Sequence, residues 1–208
     1  MGVALGRVPR VQDLGLEHTR IRFDGKGLRV DAQLQTDEPD IYAVGDLLGQ
    51  PMFAHWAIAQ AQTIAAHLLG KPAVFPKLEH NSAVIFSHPE FATAGLTAEQ
   101  AQAAGLDVEV ATYDYAIDAR AQISAETGLL RFVFERASHR ILGVHALIEG
   151  ASDLIGEAAL IVRHGLTLEQ LAQAIHPHPT LTESMGLLAR QALGRLQGLP
   201  ILAHHPVP

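Results

Sequence analysis

Not one cysteine occurs in the 208 residues. That excludes disulfide staples and thiolate metal sites, and it leaves the redox compartment undecided. Long apolar runs are missing as well. None approaches the roughly 18 residues that span a bilayer, and the N-terminus lacks the basic-then-apolar pattern of a secretion signal. A cytoplasmic protein is therefore expected. Basic clusters are absent: 15 Lys and Arg stand against 22 Asp and Glu, for a formal net charge of −7. Neither nucleic acid nor an anionic membrane surface is expected as a partner. Among 18 glycines there is no Gly-x-Gly-x-x-Gly, the loop that seats a dinucleotide pyrophosphate on a helix N-terminus.

What remains is an ordinary globular composition, 48% hydrophobic, enough to bury a core in one large or two small domains. A Pro-punctuated joint at residues 72–76 divides the chain into 1–71 and 72–208. Upstream, Val3-Ala4-Leu5 reads as a short strand and Gly6-Arg7-Val8-Pro9 as a turn. Residues 21–30 read as a hairpin around Asp24-Gly25-Lys26-Gly27. Residues 41–46 form an apolar run that ends in Gly45-Asp46 and predicts a buried strand. Pro51-Met52-Phe53-Ala54-His55 then leads into an Ala-rich helix that should stop at Gly70. The free N–H groups and positive end of that helix make the corner beside Asp46 favourable for phosphates or an electron-rich carbonyl.

Downstream, strands are expected at 83–86, 91–95, 108–115, 129–135 and 141–147, forming a largely antiparallel sheet. The capping sequences Thr97-Ala98-Glu99-Gln100 and Thr167-Leu168-Glu169-Gln170 open short helices. An amphipathic helix over 152–164 is closed by Gly165. His145 lies in an apolar strand and reads as a hydrogen-bonded core residue. His204 and His205 sit in a short tail, where an adventitious metal contact would say nothing about function.

The chemistry concentrates in His176-Pro177-His178-Pro179-Thr180-Leu181-Thr182-Glu183. Prolines on both sides stiffen the backbone around His178. An imidazole paired with a carboxylate is an acid/base dyad, because the carboxylate fixes the tautomer and stabilises the imidazolium. Thr180-x-x-Glu183 is also a capping box, in which Glu183 would serve the backbone alone. On spacing alone the cap outweighs the dyad. His176-x-His178 as a metal pair lacks a third ligand at a telling distance, so no metal site is expected.

These residues carry a resemblance. The 176–183 stretch, Gly45-Asp46 followed by Met52-Phe53-Ala54-His55, and the Gly6-Arg7-Val8-Pro9 turn together resemble the dihydrolipoamide dehydrogenase branch of the flavin-dependent pyridine nucleotide-disulfide oxidoreductases. Arg10 departs from the Asn usual in the family. The resemblance covers nearly the whole chain, as roughly the C-terminal half of a family enzyme. It implies an α+β fold: an antiparallel sheet flanked by helices as the dimerisation domain, preceded by part of a Rossmann-like FAD domain. It implies FAD and NAD as cofactors, with Asp46 on the flavin's ribityl or phosphate portion, Met52, Phe53, Ala54 and His55 along the isoalloxazine, and Gly6 beside the nucleotide. His178 becomes the acid/base and Glu183 its orienting partner, working across a homodimer on a small dithiol or a lipoyl-bearing protein.

Family members work through a cysteine pair that these residues lack, so the chain is not expected to complete that reaction alone. Mercuric reductase-like chains resemble it less, since they end in a cysteine pair. Glutathione reductase-like chains share His-Pro-Thr, but His-x-His and the Met-x-Ala-His run favour the lipoamide branch. The rival from another class is a non-catalytic dimerisation module.

Overall fold

The computed structural model describes residues 1–198. They divide into two compact units, Met1–Lys77 and a second that begins at Leu78. His204 and His205 lie outside the described residues.

The first unit has little regular structure around a small core of Val11, Leu16, Ile21, Leu28 and Ala43. Strands β1 (Phe23–Asp24) and β2 (Gly27–Leu28) form the expected hairpin, shorter than the sequence suggests. The Asp24 carboxylate accepts the Lys26 N–H at 2.7 Å and so ties the tip. Helix α1 (Ala54–Leu68) ends as predicted. Gly70 takes φ 64°, and the Lys71 N–H reaches back to the Ala66 carbonyl at 2.9 Å.

Two expected strands are not formed. Val3-Ala4-Leu5 pairs with nothing among the described residues, and Val3 and Leu5 are exposed. Residues 41–46 make only one bridge, Tyr42 with Gln35, before Gly45–Leu48 turns into a 3-10 helix. An apolar run becomes a strand only where a neighbour completes its hydrogen-bond ladder. Here the ladder stops at two bonds flanking that bridge, the Thr36 N–H to the Ile41 carbonyl at 2.9 Å and the Ala43 N–H to the Leu34 carbonyl at 3.1 Å.

The second unit is an α+β body. Five strands, β3 (Ser82–Ile85), β4 (Phe91–Gly95), β5 (Val108–Asp114), β6 (Leu129–Glu135) and β7 (Ile141–Leu147), form one sheet in the order β3-β4-β7-β6-β5, antiparallel throughout. The period of two sends Ala92, Ala94, Ala111, Tyr113, Leu130, Phe132, Val144 and Ala146 to one face, where they form a single core. A bulge between Val133 and Phe134 breaks the register: Val133 faces Gly143 but Phe134 faces Ile141, so Leu142 is passed over. Leu142 instead joins Val133 and Ala101 in a separate cluster with helix α2 (Ala98–Ala103).

The helices cover the core face. In α4 (Ala151–His164), Ala151, Leu154, Ile155, Ala158, Ile161 and Val162 recur at helical spacing and are buried. Helix α5 (Leu168–Ala172) contributes Leu168 and Leu171, and α6 (Glu183–Leu196) contributes Met185, Leu188, Ala189 and Ala192. Both Thr capping boxes form as expected, each with a Gln side chain on the cap's N–H and the Thr hydroxyl on the Gln N–H. Helix α3 (Ala119–Ser124) was not legible: six residues are too few to display a period, and its signal is the cap alone. Asp118 accepts the Arg120 and Ala121 N–H groups at 2.9 and 3.0 Å.

On the opposite face, Thr93 and His145 meet across β4 and β7. His145 is half-buried. Its Nε2–H donates to the Leu96 carbonyl at 3.1 Å, which leaves Nδ1 to accept from the Thr93 hydroxyl at 2.6 Å. Burial pushes the imidazole below its ordinary pKa, outweighing the Leu96 carbonyl, while the Arg131 charge lowers it further. A depressed histidine contributes its full stability above its unfolded value of 6.5 and loses it as pH falls through the folded value. The wild-type protein should therefore lose more stability than a His145→Gln variant on going from about pH 7 to about pH 5, measured by urea denaturation. Equal losses would remove His145 as a source of acid sensitivity.

Candidate functional site

The residues singled out by sequence fall in two places, one in each unit. In the first unit, Gly45 begins the 3-10 turn at φ 67°, and a Cβ there would lie 2.8 Å from the Ala57 Cβ. Only glycine allows this approach between the turn and α1. The Gly45 N–H donates to the buried Gln60 side chain at 2.8 Å. Gln60 thus fastens the corner to α1, a role that no motif announces; the signal was a lone Gln on the apolar face of an Ala-rich helix.

Asp46 follows with a largely exposed carboxylate, and Arg7 comes within 3.9 Å of it. Arg7 also donates to the Met52 carbonyl. Gly6 itself is exposed at φ 105° with open space around it, so it is Arg7, missed by sequence reasoning, that joins the corner. Met52 is buried, at 4% exposure, and its side chain belongs to the interior. Phe53 and His55 stack, with ring centroids 5.2 Å apart and planes 14° apart. Phe53 precedes α1 and offers no side-chain cap, and Ala54 is exposed in the first turn. An exposed carboxylate beside a helix N-terminus without a side-chain cap fits a group that carries both hydroxyls and phosphates.

In the second unit, α5 ends at Ala172 and the chain runs over the surface to α6. Glu183 is the first residue of α6. Its carboxylate is only 15% exposed and lies 2.9 Å from His178 Nδ1 through Oε2 and 3.1 Å through Oε1. The same Oε1 accepts the Thr180 N–H at 3.3 Å. The cap and the dyad are therefore not alternatives, since one carboxylate makes both contacts. The capping box is only half formed: the Thr180 hydroxyl donates to the Pro177 carbonyl at 2.7 Å. His178 is 69% exposed, so the ring is fixed at Nδ1 while the rest faces solvent.

The start of α6 is anchored from below. The Tyr115 hydroxyl donates to Ser184 Oγ at 2.9 Å, and the Ser184 hydroxyl donates to the Leu181 carbonyl at 2.6 Å. Tyr113 donates to Asp118 at 3.2 Å and meets Tyr115 edge to face. Burial pushes both phenols up, so they remain protonated donors. His176, the candidate metal partner, instead pairs with Glu157 at 2.9 Å. Among the described residues no cluster of three His, Cys, Asp or Glu is arranged to hold a metal. No described helix is long and apolar enough to cross a membrane.

Replacing Gln60 with Ala leaves the buried Gly45 N–H without an acceptor. It should destabilise the protein by about 1–3 kcal/mol in chemical denaturation, the range for an orphaned buried donor. A loss below a few tenths would mean that water or a backbone shift replaces the bond.

Residues 81–189 match the family model described as pyridine nucleotide-disulphide oxidoreductase, dimerisation domain, and residues 1–61 match the model described as pyridine nucleotide-disulphide oxidoreductase. The dihydrolipoyl dehydrogenase of Vibrio cholerae serotype O1 is 37% identical over 201 residues, covering 95% of this chain and 42% of that protein. That of Pseudomonas aeruginosa is 39% identical over 193 residues, covering 92% of this chain and 41% of that protein. The chain thus spans about two fifths of the length of these relatives. Among solved structures, LpdA from Mycobacterium tuberculosis superposes with a TM-score of 0.83 at 29% identity, covering 89% of this chain and 41% of that one. The HOCl-induced flavoprotein disulfide reductase RclA from Escherichia coli gives 0.79 at 26% identity, covering 90% of this chain and 44% of that one. The chain belongs to the pyridine nucleotide-disulphide oxidoreductase family, whose members depend on FAD and NAD.

Proposed function

We propose that these residues supply the acid/base dyad and the subunit-joining surface of a flavin-dependent disulfide oxidoreductase acting on dihydrolipoamide. One observation carries the reading. His178 is held at Nδ1 by a mostly buried carboxylate and is otherwise exposed, which suits a base that must meet a substrate from outside. The dihydrolipoyl dehydrogenase relatives support the choice of dithiol.

The dyad's part in the reaction follows from its hydrogen bonding. Glu183 accepts a hydrogen bond from Nδ1–H, so Nε2 carries the lone pair. Nε2 takes the proton of one dihydrolipoamide thiol as its sulfur attacks a disulfide, breaking that S–S bond to give a mixed disulfide and a thiolate; the second dihydrolipoamide thiol then displaces the remaining sulfur, closing lipoamide and leaving a dithiol. The imidazolium so formed is stabilised by Glu183 and returns the proton in the reverse direction. The 208 residues contain no cysteine, so that disulfide comes from outside them, in the family's manner from across a homodimer. FAD, if bound, would supply the two-electron relay between that dithiol and NAD. Asp46 and the N-terminus of α1 would hold its polar portion, with Phe53, Ala54 and His55 beside the ring. By themselves these residues would act as the dimerisation module, and a cytoplasmic setting suits both roles.

In a holoenzyme that contains these residues, His178→Gln should lower dihydrolipoamide turnover by roughly 10²–10⁴-fold, the range for loss of a general acid/base. Turnover within a factor of two of wild type would end the assignment.

A further inference from the structure

The path from α5 to α6 leaves the protein surface almost unattended. Residues 173–179 are all described, and of these only His176 is not exposed; Ile175, its neighbour, is 99% exposed. His176 is 11% exposed at its side chain, and its Nε2 lies 2.9 Å from Glu157 Oε1 on α4. Its other ring edge lies over Gly186 on α6. A Cβ at Gly186 would be 3.1 Å from His176 Nδ1 and 3.3 Å from Arg190 Nη1. Arg190 Nη1 in turn donates to the Ala172 carbonyl at 2.8 Å, tying the last residue of α5 to α6.

A single residue, Pro177, separates this anchored ring from His178. Pro177 fixes its own φ and restricts His176, so little slack lies between the two rings. On the far side, Thr180 bonds the Pro177 carbonyl and Glu183 holds both His178 and the Thr180 N–H. The turn is therefore gripped at two points, one on α4 and one on the first turn of α6. Gln173 and Ala174 still bond back to α5, so with the Glu183 grip alone the approach to His178 would hang in solvent from residue 175 onward.

We infer that His176 is a positioning residue, clamped between Glu157 and Gly186, which sets where the His178 turn rests so that the His178–Glu183 pair can form. This rests on the reading of His178 as the base. The geometry calls for more than bulk in the clamp. A hydrogen-bond donor is needed to meet Glu157, and the absence of a side chain at Gly186 is needed to admit the ring. A Gln at 176 keeps a donor of similar reach, whereas Ala keeps none.

The test uses the intact 208-residue protein and two proton-exchange rates followed by NMR. One is the Thr180 amide, bonded to Glu183; the other is the His178 Nδ1–H. The Leu188 amide within α6 serves as the reference for overall stability. In His176→Ala, both turn protons should exchange at least roughly tenfold faster relative to Leu188, the change that corresponds to about 1.4 kcal/mol. His176→Gln should recover most of that protection. Glu157→Ala, which leaves the turn's own sequence intact, should reproduce His176→Ala, and the double variant should add little to either. Turn protection that stays in step with Leu188 in both Ala variants would overturn the inference, as would failure of Gln to rescue. None of these rates depends on turnover. A catalytically silent His178→Gln would therefore undo the functional reading and leave the positioning result standing.

Discussion

The turn that leads into α6 depends on a single carboxylate. Glu183 stands at the first residue of α6, where the helix dipole and unsatisfied N–H groups favour an anion. It spends that position on two partners at once, the Thr180 backbone and the His178 ring. The two contacts support each other, since the backbone bond fixes the turn that brings the ring within reach. The arrangement is also asymmetric. The carboxylate is mostly buried while the imidazole is mostly exposed, so the ring is oriented from within and remains open to solvent from without.

The rest of the second unit supports that carboxylate. The sheet's alternation drives one face into the helices, and the bulge at Val133 passes Leu142 over to α2. Tyr115 comes from the end of β5 to hold Ser184, and α4 reaches the turn through Glu157. Each support is a hydrogen bond from an element already fixed by apolar packing. That is how a surface turn acquires a definite shape without being buried. The first unit solves a similar problem with different means, a glycine against Ala57 and the Gln60 amide, to hold the Asp46 corner on α1.

Much of this was legible in advance because local rules and tertiary structure agree. The strands over 129–135 and 141–147, the two Thr capping boxes and the Gly70 stop all follow from short-range chemistry that the fold leaves undisturbed. Where the reading failed, the determinant was elsewhere in space. Val3-Ala4-Leu5 has strand residues but no strand beside it among the described residues, and residues 41–46 find only the short stretch 34–36. Helix α3 is announced by one Asp, which carries no more information than a turn would. Around Glu183, the contact with the Thr180 backbone was legible from spacing and the contact with His178 from the resemblance. Arg7, Gln60 and the His176–Glu157 clamp were not, because each joins residues between 15 and 45 positions apart.

The most direct measurement is the tautomer of His178 in the wild-type protein, read from its two ring nitrogens by long-range ¹H–¹⁵N correlation at a pH where the ring is neutral. A carboxylate at Nδ1 predicts the proton on Nδ1 and a bare Nε2, ready to accept. A ring protonated at Nε2 would mean that Glu183 serves only the backbone, and the dyad would have to be abandoned.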